Sequence, residues 1–358
     1  MTLYENDKYK EDVKKVAGAS LPWEKLSGAP VIVSGGTGMI GSFLSDVLAE
    51  KNREGLGCHV YLICRSPERA AERFRGQVCD PAAKIVCRDV TSSLTDAGLP
   101  GGGYILHLAS NTHPRQYATD PVGTIMTNVN GLKNMLDLAA KGGARRFAFA
   151  SSNEIYGENR GDAELFDEQY CGYIDSNSLR AGYPESKRCG EALCQAYRAG
   201  SGLDVVIPRF TRTFGPTMLP TDSKAVSQFI KKSVAGEDVV LKSDGTQHYS
   251  FTYVADAVLG LLTVLLLGED GGAYNIADES SDITLKELAR IVAEHAGTKV
   301  VFELPNGIEA AGYSKATKAR LDGSKLRRLG WRPLYGIEES IPRTIDILKE
   351  TGFSGKTQ

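Results

Sequence analysis

An apolar segment running into a glycine-rich turn constrains this chain more than any other feature. Pro30-Val31-Ile32-Val33 leads into Ser34-Gly35-Gly36-Thr37-Gly38-Met39-Ile40-Gly41, and Phe43, Leu44, Val47 and Leu48 follow at helical spacing. In the pattern Gly35-x-x-Gly38-x-x-Gly41 the first glycine permits a tight turn. The second lets backbone approach a pyrophosphate, and the third lets helix and strand pack closely. A diphosphate then rests on the helix N-terminus, where free N–H groups and the dipole favour anions. The pattern therefore predicts a dinucleotide site built from Gly35, Thr37, Gly38, Met39, Ile40 and Gly41.

Short β-branched runs continue the theme. His59–Cys64, Lys84–Cys87, Tyr104–Leu108, Arg146–Ala150 and Asp204–Ile207 read as strands, with helices over Asn128–Ala140 and Ser186–Ala199. Strands alternating with helices predict an α/β, Rossmann-type doubly wound parallel sheet. Beyond about residue 215 helices dominate, mixed with short strands at Val239–Leu241 and Val300–Phe302. The expected division is an N-terminal extension over 1–28, a dinucleotide-binding domain over 29–215, and a smaller C-terminal substrate-binding lobe over 216–350, interleaved with it. For the helical, charged stretch 1–28, packing onto the body and packing onto a subunit partner both stay open.

Composition excludes several classes. With 42 basic and 44 acidic residues there is no positive excess to suggest nucleic acid. The seven cysteines form no CxxC pair, and the five histidines form no HExxH pattern, so no metal is expected. The N-terminus lacks the apolar core of a signal peptide, and Val254–Leu267 is too short for a bilayer span. A cytoplasmic protein without a membrane partner is the expectation.

At the end of the second strand, where NAD-binding domains usually place Asp or Glu against the ribose, stand Arg65 and Ser66. An arginine there can pair with a 2′-phosphate, so the cofactor is expected to be NAD or NADP, with Arg65 leaning to NADP. A solvent-facing Arg65 is the alternative. Asp89 is expected against the adenine with Val90 beside it, and Leu108, Ala109 and Ser110 along the middle of the dinucleotide. Tyr183 and Lys187 lie about one helical turn apart and share a face. A Lys ammonium near a phenol lowers its pKa, and the resulting tyrosinate can take a hydroxyl proton as hydride leaves. Ser152 is the candidate hydrogen-bond partner of that hydroxyl oxygen. Glu154 is a candidate base or carboxylate sensor.

At these residues the chain resembles the extended short-chain dehydrogenase/reductases of the nucleotide-sugar epimerase/dehydratase group. The resemblance includes His107-Leu108-Ala109-Ser110, Asn128-Val129-Asn130-Gly131 and Arg209-Phe210-Thr211-Arg212-Thr213-Phe214-Gly215-Pro216. It extends to Tyr249-Ser250-Phe251-Thr252-Tyr253-Val254-Ala255-Asp256 and Leu329-Gly330-Trp331. Within the group it is most similar to UDP-glucuronate decarboxylases, through His107–Tyr117, Ser152-x-Glu154 and Leu179–Arg188. The resemblance implies a nucleotide-diphosphate sugar substrate, a transient 4-keto sugar, catalytic Ser152, Glu154, Tyr183 and Lys187, and Asn128 and Lys187 near the cofactor. It also implies a homodimer formed by the helices after Asn128 and after Tyr183. Decarboxylation, 4-epimerisation and 4,6-dehydration all stay open, as do an NADPH-dependent keto-sugar reductase and a non-catalytic dinucleotide sensor. Asn153, where many dehydratases carry Asp, weighs against dehydration. The group usually has Asn at position 212 and Arg at position 249, both against the sugar diphosphate. This chain has Arg212 and Tyr249, so Arg212 is expected to supply the displaced cation. Tyr117 and Arg180 complete the expected substrate contacts, Arg180 toward a carboxylate or hydroxyl.

Overall fold

A computed structural model describes residues 1–75, 83–112, 114–303 and 317–353. Cys79 and His113 lie outside the described residues. The helices are α1 (Asp7–Ala17), α2 (Met39–Arg53), α3 (Pro67–Arg73), α4 (Pro114–Thr119), α5 (Pro121–Lys141), α6 (Gly182–Ser201), α7 (Ala225–Val234), α8 (Val254–Leu267) and α9 (Leu285–Ala296), followed by Ser324–Arg328 and Ile337–Glu350. Strands β1 (Pro30–Ser34), β2 (His59–Cys64), β3 (Ala83–Cys87), β4 (Tyr104–His107), β5 (Arg146–Phe149), β7 (Val205–Phe210) and β11 (Ala273–Ile276) form one parallel sheet, in the order β3-β2-β1-β4-β5-β7-β11. The two-residue strand β6 (Ser151–Ser152) joins it beside β7.

Strand order reverses between β1 and β4, the place where doubly wound sheets open a crevice at the carboxyl ends of their strands. Side-chain alternation covers both faces. Val31 and Val33 pack with Phe43, Leu44 and the α8 leucines, whereas Ile32 packs with Leu132, Met135, Phe147 and Phe149 on the other side. This is why the strands read as near-continuous apolar runs.

The chain beyond residue 215 divides between two places. β8 (Arg212–Phe214), β10 (His248–Tyr253), β12 (Asp282–Thr284) and β14 (Lys318–Ala319) make a small mixed sheet, and β9 (Val239–Leu241) pairs with β13 (Val300–Phe302). Helix α8 instead lies against the main sheet, and β11 extends that sheet's edge. The apolar run Val254–Leu267 is thus one buried helix. Among the described residues no helix is long and apolar enough to cross a membrane.

The N-terminal stretch packs onto the body. Tyr9, Val13, Val16 and Ala17 are buried in the core that holds Phe43 and Val258. Asp12, fully buried, accepts hydrogen bonds from the Tyr253 and Tyr335 hydroxyls, each at 2.5 Å, and from Arg343 Nε at 2.7 Å. One carboxylate therefore ties α1, β10 and the last helix together.

Candidate active site

One cavity of about 1060 Å³ runs from the glycine turn to the small sheet. Small-ligand sites span roughly 300–1,000 Å³, so this cavity lies at the upper end of that range. Gly35, Thr37, Gly38, Met39, Ile40 and Gly41 all line it. The turn fits a diphosphate because its glycines are needed for close approach. Gly35 has φ +75°, and a Cβ there would lie 2.9 Å from the Ala109 nitrogen. A Cβ at Gly41 would lie 2.4 Å from the Gly35 carbonyl oxygen. No side chain caps the start of α2, whose first N–H groups face this turn. Leu108, Ala109 and Ser110 continue the wall from the end of β4. Ser34 Oγ meets His107 Nδ1 at 2.7 Å and accepts from the Ala109 nitrogen at 3.3 Å, which locks the two strand ends together. Burial, helped by the Lys187 charge, pushes the His107 pKa down to about 3, so the ring is neutral.

Two expected cofactor residues sit differently. Asp89 turns its carboxylate onto Thr91, at 2.8 Å to the nitrogen and 2.7 Å to the hydroxyl, and does not line the cavity; its neighbours Arg88 and Val90 do. Asn128 is buried behind the wall, accepting from Ser110 Oγ at 2.7 Å and donating to Ser186 Oγ at 2.8 Å. Ser186 Oγ in turn donates to the Tyr183 carbonyl. The chain of bonds from Ser110 to Ser186 fixes the start of α6 against β4. Arg65 lines the cavity just beyond the end of β2.

Helix α6 begins at Gly182, earlier than the sequence pattern implies, and carries Tyr183 and Lys187 on one buried face. Lys187 Nζ donates to the Ala150 carbonyl at 2.8 Å. Burial pushes the Lys187 pKa down to about 7 and the Tyr183 phenol up to about 12. Desolvation raises Tyr183 most, and the opposing influences are hydrogen bonds from Ser152 and Tyr117 and the charge of Arg180. Tyr117 stacks on Tyr183 with ring centroids 4.7 Å apart.

Glu154, in the short 3₁₀ turn after β6, accepts from Arg180 Nη2 at 2.6 Å. The Arg180 guanidinium also lies over the Tyr117 ring, 4.8 Å from its centroid. Its Nε and Nη1 are buried and without a hydrogen-bond partner. Arg212 and Tyr249 come together because β8 pairs with β10: the Arg212 guanidinium stacks 3.4 Å over the Tyr249 ring. The Asn153 amide, oriented so that its oxygen faces Arg212, accepts from Nη1 at 2.9 Å and donates to the Phe210 carbonyl at 3.3 Å. The two positions that depart from the group's usual residues are thus in direct contact.

Sequence reading missed the groups that hold this wall. Glu191 on α6 receives Arg209 in a bidentate pair, at 2.9 and 2.6 Å, and Ser151 Oγ at 2.6 Å. Its place, one turn beyond Lys187, is a signal that helical periodicity could have supplied. Lys224, Lys232 and Lys242 line the cavity from the small lobe, and no motif marks them. Among the described residues no group of His, Cys, Asp and Glu could hold a metal ion.

The family model described as "NAD dependent epimerase/dehydratase family" matches residues 31–277. The chain is 33% identical to the Arabidopsis thaliana UDP-glucuronic acid decarboxylase 3 over 313 residues, 87% of this chain and 86% of that protein. Its fold matches the dTDP-glucose 4,6-dehydratase DesIV of Streptomyces venezuelae, a double mutant solved with NAD bound, at TM-score 0.78 and 25% identity, covering 89% of this chain and 97% of the other. It also matches the UDP-glucuronic acid 4-epimerase of Bacillus cereus, solved with UDP-glucuronic acid and NAD, at TM-score 0.75 and 19% identity, covering 90% and 99%.

Proposed function

The chain belongs to the NAD dependent epimerase/dehydratase family, and from that premise we propose that it decarboxylates a nucleotide-diphosphate hexuronate through a transient 4-keto sugar. The dinucleotide, NAD or NADP, would be held by the Gly35–Gly41 turn, and when bound it accepts a hydride and later returns it. Tyr183, as phenolate, takes the proton of the sugar C4 hydroxyl, and Ser152 hydrogen-bonds the same oxygen. Lys187, anchored on the Ala150 carbonyl, would hold the cofactor ribose. The resulting ketone makes a C5 carboxylate a β-keto acid. The C5–carboxylate bond breaks, carbon dioxide leaves, and the electron pair moves into the ketone as an enolate. A proton then reaches C5, and the ketone is reduced at C4.

The observation that carries this reading is Arg180. Arg180 lines the cavity, as Tyr183 does, and its Nη2 holds Glu154. A guanidinium on the cavity wall suits an anionic partner, and a uronate carboxylate is one. Arg212, stacked on Tyr249, is read as the cation for the sugar diphosphate in place of the arginine usual at position 249. Asn153 has no proton to give a leaving hydroxyl, which counts against dehydration. The test is to incubate the enzyme with UDP-, dTDP-, GDP- and CDP-linked hexoses and hexuronates and to weigh the products. Loss of carbon dioxide from a hexuronate is expected; loss of water, or an unchanged mass with inverted C4, would replace the reading. A homodimer is part of the proposal: α5 and α6 pack side by side, and Val122, Ile125 and Met126 leave an apolar patch exposed on α5. Light scattering showing a monomer at working concentration would contradict it.

A further inference from the structure

The adenosine end of the cavity carries a charge cluster that the hexuronate reading does not use. β2 and β3 run in parallel register, Cys64 opposite Cys87, and the Arg88 nitrogen donates to the Cys64 carbonyl at 3.0 Å. The next residues, Arg65 and Arg88, therefore leave adjacent strands side by side. Arg69 follows one turn later on α3, after the Ser66 cap. All three arginines line the cavity, and all three are solvent-exposed.

None of the three guanidinium groups is in a salt bridge among the described residues; Arg65 lies near enough to Asp89 for its charge to be felt there. Arg88 Nη1 reaches only the Cys87 carbonyl, at 3.3 Å. The nearby acids are engaged elsewhere: Asp89 with Thr91, and Glu68 with the Ser66 hydroxyl at 2.7 Å. A ribose diol is chelated by a carboxylate at the end of the second strand, and this chain has none there. Three cations on the cavity wall, Arg65 and Arg88 leaving adjacent strands and Arg69 one turn on, suit a dianionic phosphomonoester instead.

We propose that Arg65, Arg69 and Arg88 form a 2′-phosphate site, so that the dinucleotide this chain selects is NADP rather than NAD. The inference rests on the glycine turn holding a dinucleotide, and it goes further by naming which form. The arginines are exposed, so their selectivity is electrostatic and weakens with salt.

The experiment is calorimetric titration of the purified protein, without substrate, using NADP, NAD, 2′,5′-ADP and 5′-ADP. NADP is expected to bind at least about tenfold tighter than NAD at low salt, the return on one charge-assisted contact. 2′,5′-ADP should beat 5′-ADP by a similar factor, and both gaps should narrow as salt rises. The double variant Arg65→Ala/Arg88→Ala should lose the preference, its NADP affinity falling by at least about tenfold more than its NAD affinity. Equal or tighter binding of NAD, or a preference for NADP that survives the double variant, overturns the 2′-phosphate site and leaves the dinucleotide reading standing. Binding of none of the four ligands overturns both.

Discussion

Replacing Arg180 with alanine separates recognition of a uronate from mere support of the cavity wall. Arg180 Nη2 holds Glu154 at 2.6 Å, with the two side chains only 13% and 20% exposed. The variant removes the donors proposed for the substrate carboxylate. A hydrogen bond to a charged group contributes about 1.5–3 kcal/mol, so a nucleotide-hexuronate should bind roughly 10- to 150-fold more weakly. The parent hexose makes no such bond and should lose little. The variant also leaves Glu154 without its cation. Breaking a fully buried pair costs about 3–5 kcal/mol, and with a fifth of Glu154 exposed the expected cost is about 2 kcal/mol. Arg180→Ala/Glu154→Gln should restore most of that stability without restoring uronate affinity. The assay is calorimetric titration of UDP-glucuronate against UDP-glucose, alongside urea denaturation of each variant. Equal losses for both ligands, or uronate affinity recovered in the double variant, would refute the reasoning.

The remaining predictions concern the base, the turn and the N-terminal stretch. Tyr183→Phe should abolish turnover while leaving dinucleotide binding, measured by titration, within about twofold, since a pure binder does not need the hydroxyl. Burial holds the Tyr183 phenol up at about 12, and the reacting species is the deprotonated one. The single-turnover oxidation rate should therefore rise by up to about tenfold per pH unit below the phenol pKa of the complex, a slope that a flat profile would exclude. Gly41→Ala places a methyl 2.4 Å from the Gly35 carbonyl oxygen; it should abolish dinucleotide binding, and retained affinity would show that the turn does not hold the diphosphate. Asp12→Ala leaves two tyrosine hydroxyls and Arg343 without their shared acceptor and should destabilise the fold by about 3 kcal/mol in urea denaturation. A loss under about 1 kcal/mol would mean that α1 is not fastened through this residue.

The central sheet was legible because each strand is a short apolar run flanked by turn residues, and Val254–Leu267 could be read as a buried helix from its length alone. The placement of β11 beside β7 was not legible. Ala273–Ile276 carries no mark of which sheet it joins, and its partner lies some sixty residues back along the chain. The site divides the same way. The glycine turn and the Tyr183–Lys187 pair are local patterns, so spacing reveals them. The Arg212–Tyr249 stack depends on β8 pairing with β10, and the Arg180–Glu154 pair on the approach of two turns. Such long-range contacts leave no periodic trace. Burial is illegible for a related reason: a sequence shows that Lys187 is near Tyr183 but not that both are buried. The helical stretch before the glycine turn hid its anchoring, since only the fold brings Asp12 to Tyr253, Tyr335 and Arg343.

The central claim is that a sugar ketone at C4, made and unmade within one turnover, drives loss of the C5 carboxylate. Turnover of a nucleotide-hexuronate in deuterium oxide, followed by mass spectrometry and by nicotinamide absorbance, tests it most directly. The account predicts a nucleotide-pentose that has lost carbon dioxide, carries one solvent deuterium at C5 and none at C4, and leaves no net reduced dinucleotide. A product that keeps all its carbon, or one reduced dinucleotide accumulating per sugar consumed, would contradict it.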